Sequence, residues 1–124
     1  MLDIRRVSDP TPDHELSPER AAELIDAGAA LIDVRRTAEW EGGRIAGSRH
    51  IEMNELPAAA DSISRDLPVL FYCRSGNRSG MAADAFSQAG YDAHNVAGGI
   101  EAWVAEGRPL EPEDGEVRTP PPAS

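Results

Sequence analysis

The chain has 124 residues, 40% of them hydrophobic, which is enough for one domain with its own core. Its formal net charge is -10, and so acidic a surface repels phosphate backbones, which excludes nucleic acid as the expected partner. All 12 basic residues are arginine, so Schiff-base chemistry and a lysine-dependent phosphate loop are excluded as well.

Residues 1–13 read as an N-terminal extension, turn-rich at Asp9-Pro10-Thr11-Pro12-Asp13, with a short strand expected from Ile4 to Val7. His14-Glu15-Leu16 reads as an edge strand. Ser17-Pro18-Glu19-Arg20 is a helix start, with serine as N-cap and proline in the first helical position. Ala21, Leu24 and Ile25 form the buried stripe of that helix, and Gly28 ends it. Ala30-Leu31-Ile32-Asp33-Val34 is the next strand. Thr37 caps a short helix through Trp40 that Gly42-Gly43 terminate, and a short strand follows near Arg49 to Ile51. Asn54 caps a helix whose Leu56, Ala60 and Ile63 share a face, Pro57 being tolerated in its first turn. Val69-Leu70-Phe71-Tyr72 is an unbroken apolar run of the kind a parallel sheet buries. Beyond a short polar turn, Ala82, Ala85, Phe86 and Ala89 recur at helical spacing up to Gly90. Asp92 to Val96 is the last strand. Gly98-Gly99 then turn the chain into a helix that packs Ile100, Trp103 and Val104 together before Gly107.

Strands alternating with helices imply an α/β fold, a mostly parallel sheet with helices on both faces. The main domain is expected over residues 14–112. Residues 113–124 are acidic and then proline-rich, and are expected to be a disordered tail. No apolar run approaches the ~20 residues of a membrane span, and the first six residues have no hydrophobic stretch behind them, so no secretory leader or membrane partner is expected. A single cysteine cannot form an internal disulfide, which suits a reducing compartment and a cytoplasmic location.

That cysteine, Cys73, stands where a strand ends and a helix begins. The first-turn amides of a helix lack intrahelical partners and carry partial positive charge, and a tight loop there curls its own amides into an anion nest. Arg74 and Arg78 add full charges. Each favours the thiolate, the nucleophilic form, over the competing reading of a buried cysteine serving as a small hydrophobe. Two chemistries use such a thiolate: attack on phosphorus, and capture of a sulfane sulfur as a persulfide. Four residues separate Cys73 from Arg78, one fewer than in the cysteine-phosphatase signature. The shorter ring suits a single terminal sulfur better than a tetrahedral phosphoryl group.

Four landmarks occur in order: Leu31-Ile32-Asp33-Val34-Arg35 with Glu39-Trp40, then Gly43-Arg44-Ile45-Ala46-Gly47-Ser48, then Cys73-Arg74-Ser75-Gly76-Asn77-Arg78-Ser79, then Val96-Ala97-Gly98-Gly99-Ile100-Glu101-Ala102-Trp103. Together they make the chain resemble a single-domain rhodanese of the thiosulfate sulfurtransferase type, over roughly Leu16 to Pro112. The resemblance implies a rhodanese-like fold with a five-stranded sheet and a ping-pong sulfur transfer without cofactors. Cys73 takes a sulfane sulfur from thiosulfate or a persulfide donor and passes it to a thiol or cyanide. Arg74, Ser75, Gly76, Asn77, Arg78 and Ser79 are implied as the persulfide-binding loop, with the arginines attracting the anionic donor. The sequence departs from the family at Arg44, where histidine is more usual, and at Arg49-His50-Ile51-Glu52, where a more apolar strand and a proline are common. A protein-to-protein persulfide carrier is the nearest alternative. A cysteine phosphatase or arsenate reductase is more distant, and a non-catalytic interaction domain would normally have lost the cysteine.

Asp33 and Arg35 are supporting candidates, at the carboxyl end of a neighbouring strand, where parallel sheets gather their ligands. The favoured roles are an ion pair from Arg35 to Glu39 and hydrogen bonds from the loop to Asp33. Arg44 either steers an anionic donor or is a solvated loop arginine. His14, His50 and His94 are too far apart in sequence for metal-ligand spacing, so no metal is expected. Trp40 and Trp103 read as core. Without a second cysteine no relay can end in an internal disulfide, so sulfur received by Cys73 must leave to an external acceptor, small molecule or protein.

Overall fold

The structure is a computed structural model that describes residues 14–119. Strands β1 (Glu15–Leu16), β2 (Ala30–Asp33), β3 (Arg49–His50), β4 (Val69–Tyr72) and β5 (Ala93–Val96) form one sheet in the order β1-β5-β4-β2-β3, every pair parallel. The intervening helices are α1 (Pro18–Asp26), α2 (Thr37–Gly42), α3 (Leu56–Ala59), α4 (Asn77–Gln88) and α5 (Gly99–Ala105). The fold is thus α/β with a five-stranded parallel sheet. The strand from Ile4 to Val7 lies outside the described residues.

β4 is central, so all four of its residues are buried, and the pleat sends alternate side chains to opposite layers. Leu31, Leu70, Tyr72 and Val96 pack with Ala21 of α1, Ile45, and Ile100 and Trp103 of α5. Ile32, Val69, Phe71 and Ala93 pack on the other face with Leu56, Ile63 and the inner side of α4. Phe86 anchors that second layer. Its ring centroid lies 4.9 Å from Phe71 and 4.8 Å from Tyr91.

Several elements differ in detail from the sequence reading. Ala89 is exposed at the end of α4, and Ala83 takes its place in the buried face. Val104 is exposed, because α5 ends one residue later and turns only Ile100 and Trp103 inward. Thr37 is the first residue of α2 rather than its cap, and its amide and hydroxyl both donate to Glu52. The expected helix after Asn54 is broken. A 3-10 turn (Met53–Glu55), the short α3 and a second 3-10 turn (Ala60–Ser62) replace it, and Glu52, not Asn54, precedes the first turn.

Residues 111–119, which include the start of the segment expected to be a disordered tail, lie within the described range and contact the domain. Arg44 and Glu111 form an antiparallel bridge, the Glu116 amide donates to the Gly42 carbonyl at 2.8 Å, and Arg118 Nη1 donates to the Ala38 carbonyl at 3.1 Å. Val117 packs against the first layer. Gly43 permits this approach, since a side chain there would meet the Glu116 backbone at 2.8 Å. A main-chain bond at Glu116 and a side-chain bond at Arg118, neither of which composition reveals, hold the segment; residues 120–124 lie outside the described range.

Replacing Phe86 by alanine removes the ring that joins β4, α4 and Tyr91. A loss of about 3–5 kcal/mol in unfolding free energy is expected, read from the urea midpoint. A change under about 1 kcal/mol would show that this layer does not carry the fold.

Candidate active site

Past Tyr72 the chain turns through Cys73 to Gly76 and enters α4. Gly76 sits at φ 101°, a left-handed conformation that favours glycine. This aims its amide back at Cys73 Sγ, 3.1 Å away. Ser79 Oγ, one turn into α4, lies 3.3 Å from the same sulfur. The amides of Ser75, Asn77, Arg78 and Ser79 have no acceptor among the described residues, as expected of a helix N-terminus. Cys73 is only 1% exposed, while Ser75 and Asn77 stand exposed on the rim.

The back of the loop is tied to the start of α5. The Cys73 and Arg74 carbonyls accept from the amides of Ile100 at 2.9 Å and Glu101 at 3.1 Å. Gly99 makes this possible. It adopts φ 62°, and a side chain on it would run into both of those carbonyls. Gly98-Gly99 therefore serve as the floor under the loop as well as a turn.

The arginines are placed differently from the sequence expectation. Arg78 makes a two-pronged bond to Glu39, at 2.9 and 3.0 Å, and Arg74 pairs with Glu101 at 3.2 Å. Neither is a free cation waiting for a donor. Burial alone would push the Glu39 carboxyl up, but the bonds from Arg78 and the Arg36 amide outweigh it and hold the carboxyl below its usual range. Glu39 is thus the partner of Arg78 and not of Arg35. Arg35 instead turns back on Asp33, donating through Nε at 2.9 Å and Nη2 at 2.6 Å, and its second Nη2 contact is the Gly43 carbonyl at 2.8 Å. Both members of that pair are 0% exposed. Burial by itself favours a neutral Arg35, yet the bonds and charge of Asp33 prevail and raise its pKa. Asp33 also accepts the Arg35 amide at 3.0 Å, which fits the acceptor role read from sequence, although its chief partner is the Arg35 guanidinium. Asp33 and Arg35 therefore brace the loop after β2 and do not touch Cys73.

Other residues named from sequence lie apart from the sulfur. Arg44 stacks over half-buried Trp40 at 4.9 Å, and the His50 ring lies parallel to that indole at 4.9 Å. His50 Nε2 bonds the Arg35 carbonyl at 2.7 Å, and His14 Nδ1 bonds the Ala93 carbonyl at 3.0 Å. Trp103 is buried, its Nε1 donating to the Pro109 carbonyl at 3.2 Å.

Sequence reasoning missed Asn95 and Glu15. Asn95 is buried in β5, accepts the Ser79 hydroxyl at 2.6 Å, and donates to both oxygens of Glu15 at 2.9 Å. The signal was an asparagine inside an otherwise buried strand, which needs partners. Nothing local marks Glu15, whose place opposite Asn95 comes from the β1–β5 register.

The chain is similar to known proteins over most of its length. The rhodanese-like domain model matches residues 17–106. Thiosulfate sulfurtransferase GlpE of Pseudomonas aeruginosa is 35% identical over 89 residues, covering 71% of this chain and 81% of that protein. A sulfurtransferase of Allochromatium vinosum is 36% identical over 104 residues, covering 83% of this chain and 95% of that one. The crystal structure of a rhodanese-related protein from Thermoplasma volcanium superposes with a TM-score of 0.73 at 34% identity, over 78% of this chain and 96% of that one. With the domain match over residues 17–106 and these relatives in agreement, the chain belongs to the rhodanese-like domain family.

Proposed function

We propose that the protein transfers a sulfane sulfur from thiosulfate or a persulfide to a thiol or cyanide, through a persulfide on Cys73. The observation that carries this reading is the Gly76 amide aimed at Cys73 Sγ at 3.1 Å, beside first-turn amides that have no acceptor among the described residues. Donors fixed in place stabilise a terminal sulfur anion without reorganising. The relatives named as sulfurtransferases point the same way.

In the first half-reaction the Cys73 thiolate attacks the outer sulfur of thiosulfate. The sulfur–sulfur bond of the donor breaks, and sulfite departs with the bonding pair. Cys73 now carries a persulfide whose terminal sulfur is anionic, and the amides from Arg74 to Ser79 hold it. An acceptor thiolate or cyanide then attacks that terminal sulfur, and the Cys73 thiolate leaves with the electron pair. Sulfite is a stable leaving anion, so no strong general acid is needed. Arg78, held by Glu39, acts here by keeping the first turn of α4 in place. It does not need to grip the donor.

A protein persulfide acceptor would use the same second half-reaction, with a partner's thiolate at the exposed rim formed by Ser75 and Asn77. The small loop and the buried sulfur favour a thin donor over a tetrahedral ester. Localisation to a reducing compartment fits the lone thiol.

Treating the intact protein with thiosulfate should add one sulfur, about 32 Da, to its mass. The Cys73→Ser variant should show neither adduct nor transfer while keeping its circular dichroism spectrum. Cys73-dependent phosphate release from an aryl phosphate, with no sulfur adduct, would replace this reading with a phosphatase.

The Glu39–Arg78 pair has its own signature. A carboxyl held below its usual range contributes stability that is complete above about pH 5, where it is ionised in the folded and the unfolded chain alike, and is lost as pH falls through its folded value. Glu39→Gln should cost about 2 kcal/mol at neutral pH. The difference from the parent should shrink between about pH 5 and pH 3 in urea titrations. A gap that stays constant over that range would show that the pair's charge is not what stabilises the loop.

A further inference from the structure

Asn95 has partners on each side of its carboxamide. Nδ2 lies 2.9 Å from both Glu15 oxygens and 3.0 Å from the Gly76 carbonyl. A carboxylate and a carbonyl only accept, so the nitrogen must face them, and both of its hydrogens are used. The orientation of the amide is thereby decided, and Oδ1 faces Ser79 Oγ at 2.6 Å. An amide oxygen carries no hydrogen, so Ser79 supplies it. A hydroxyl has one hydrogen to give. Ser79 Oγ therefore turns lone pairs toward Cys73 Sγ, 3.3 Å away. A thiol can donate its S–H into such a lone pair. A thiolate cannot, and it faces an electron-rich oxygen until the hydroxyl swings from Asn95 to the sulfur.

We propose that Glu15 and Asn95 are positioning residues for the reactive sulfur: they commit the Ser79 hydrogen to Asn95 while Cys73 is a thiol, and ionisation of Cys73 turns that hydroxyl onto Sγ. This rests on Cys73 being the nucleophile, whatever its donor. The thiol proton leaves to water. The Ser79 hydrogen stays on its own oxygen and only changes acceptor. The Gly76 amide and the Ser79 hydroxyl then both donate to the sulfur anion, so the loop gains a second donor at the moment the nucleophile forms. Ser79 touches the sulfur; Asn95 acts through Ser79, and Glu15 acts through Asn95.

Other charged groups around the sulfur are already paired. Arg78 of α4 feels the Cys73 charge and is held by Glu39 of α2. Arg74 of the loop pairs with Glu101 of α5, and Asp33 with Arg35 beside β2. His14, next to Glu15, is bonded to the Ala93 carbonyl. Tyr72 precedes Cys73 and is kept protonated first by burial and then by the Asp33 charge. None of these is altered in the variants below.

The test is the rate at which iodoacetamide alkylates Cys73, the only cysteine, from about pH 5 to about pH 9. Asn95→Ala should react about fivefold faster at the acidic end and converge with the parent toward the alkaline end. Glu15→Gln keeps Asn95 and its bond to Gly76, so it serves if Asn95→Ala fails to fold; it should shift the profile in the same direction by less. In a Ser79→Ala background, Asn95→Ala should leave the profile unchanged. Acceleration by the same factor at every pH would mean that the variant had merely opened access, and would overturn the proposal. So would an effect that survives without Ser79. A normal alkylation profile with no sulfur adduct from thiosulfate would sink the sulfurtransferase reading and leave this one standing.

Discussion

Closing the turn between β4 and α4 is the constraint on which the site depends. For one amide to point back at the sulfur three residues earlier, Gly76 must enter the left-handed region, and the chain behind it must be held flat. Gly99 holds it flat by lacking a side chain where the Cys73 and Arg74 carbonyls approach α5. Two glycines from distant parts of the sequence thus shape one loop, and each works through a different property. At Gly76 the decisive property is the backbone angle; at Gly99 it is the absent side chain as well. The helix that follows contributes its unpaired amides only because the turn delivers Asn77 into α4 with no residue to spare.

Around that turn the charges are arranged to cancel. Asp33–Arg35 and Glu39–Arg78 bury three side chains almost completely, and each of those three, Asp33, Arg35 and Glu39, also bonds backbone. Such pairs stabilise little in sum, but removing one partner leaves an uncompensated buried charge. Their effect is geometric: α2 is fixed to α4, and the loop after β2 is fixed to Gly43, whose face is in turn covered by the segment around Glu116. A chain of contacts therefore runs from the C-terminal segment through α2 to the first turn of the cysteine helix.

The strands, the sheet class and the position of Cys73 were legible because each rests on local pattern: unbroken apolar runs, glycine punctuation, helical spacing after a polar turn. Pairings were not. Arg35 sits four residues from Glu39 and invited a local ion pair, yet the buried β-strand end turns Arg35 back on Asp33 and leaves Glu39 for an arginine 39 residues away. Asn95 passed without comment inside the last strand, and only the register sets Glu15 beside it. The segment after Pro112 reads as unable to bury surface, yet Val117 packs on the domain and the Glu116 amide bonds the Gly42 carbonyl, a main-chain contact that does not depend on composition. What escaped the sequence was long-range partnership, the part that only closure of the sheet decides.

On the sulfurtransferase reading proposed above, a strongly acidic chain would have to handle an anionic donor, a problem that the site would solve locally. With both nearby arginines committed to carboxylates, net charge offers no attraction at long range. Backbone amides are different: they cannot be neutralised by a neighbouring carboxylate unless it enters the loop itself, and their pull falls off within a few ångströms. Recognition by amides alone therefore depends on shape and distance, and it rewards an anion narrow enough to reach the floor. In the proposed reaction a terminal sulfur on Cys73 would meet that condition from inside, because it would be bonded to the residue at the centre of the loop. On that reading the site would be better suited to holding the intermediate than to gripping the free donor, and differential binding of that kind is what lowers a barrier.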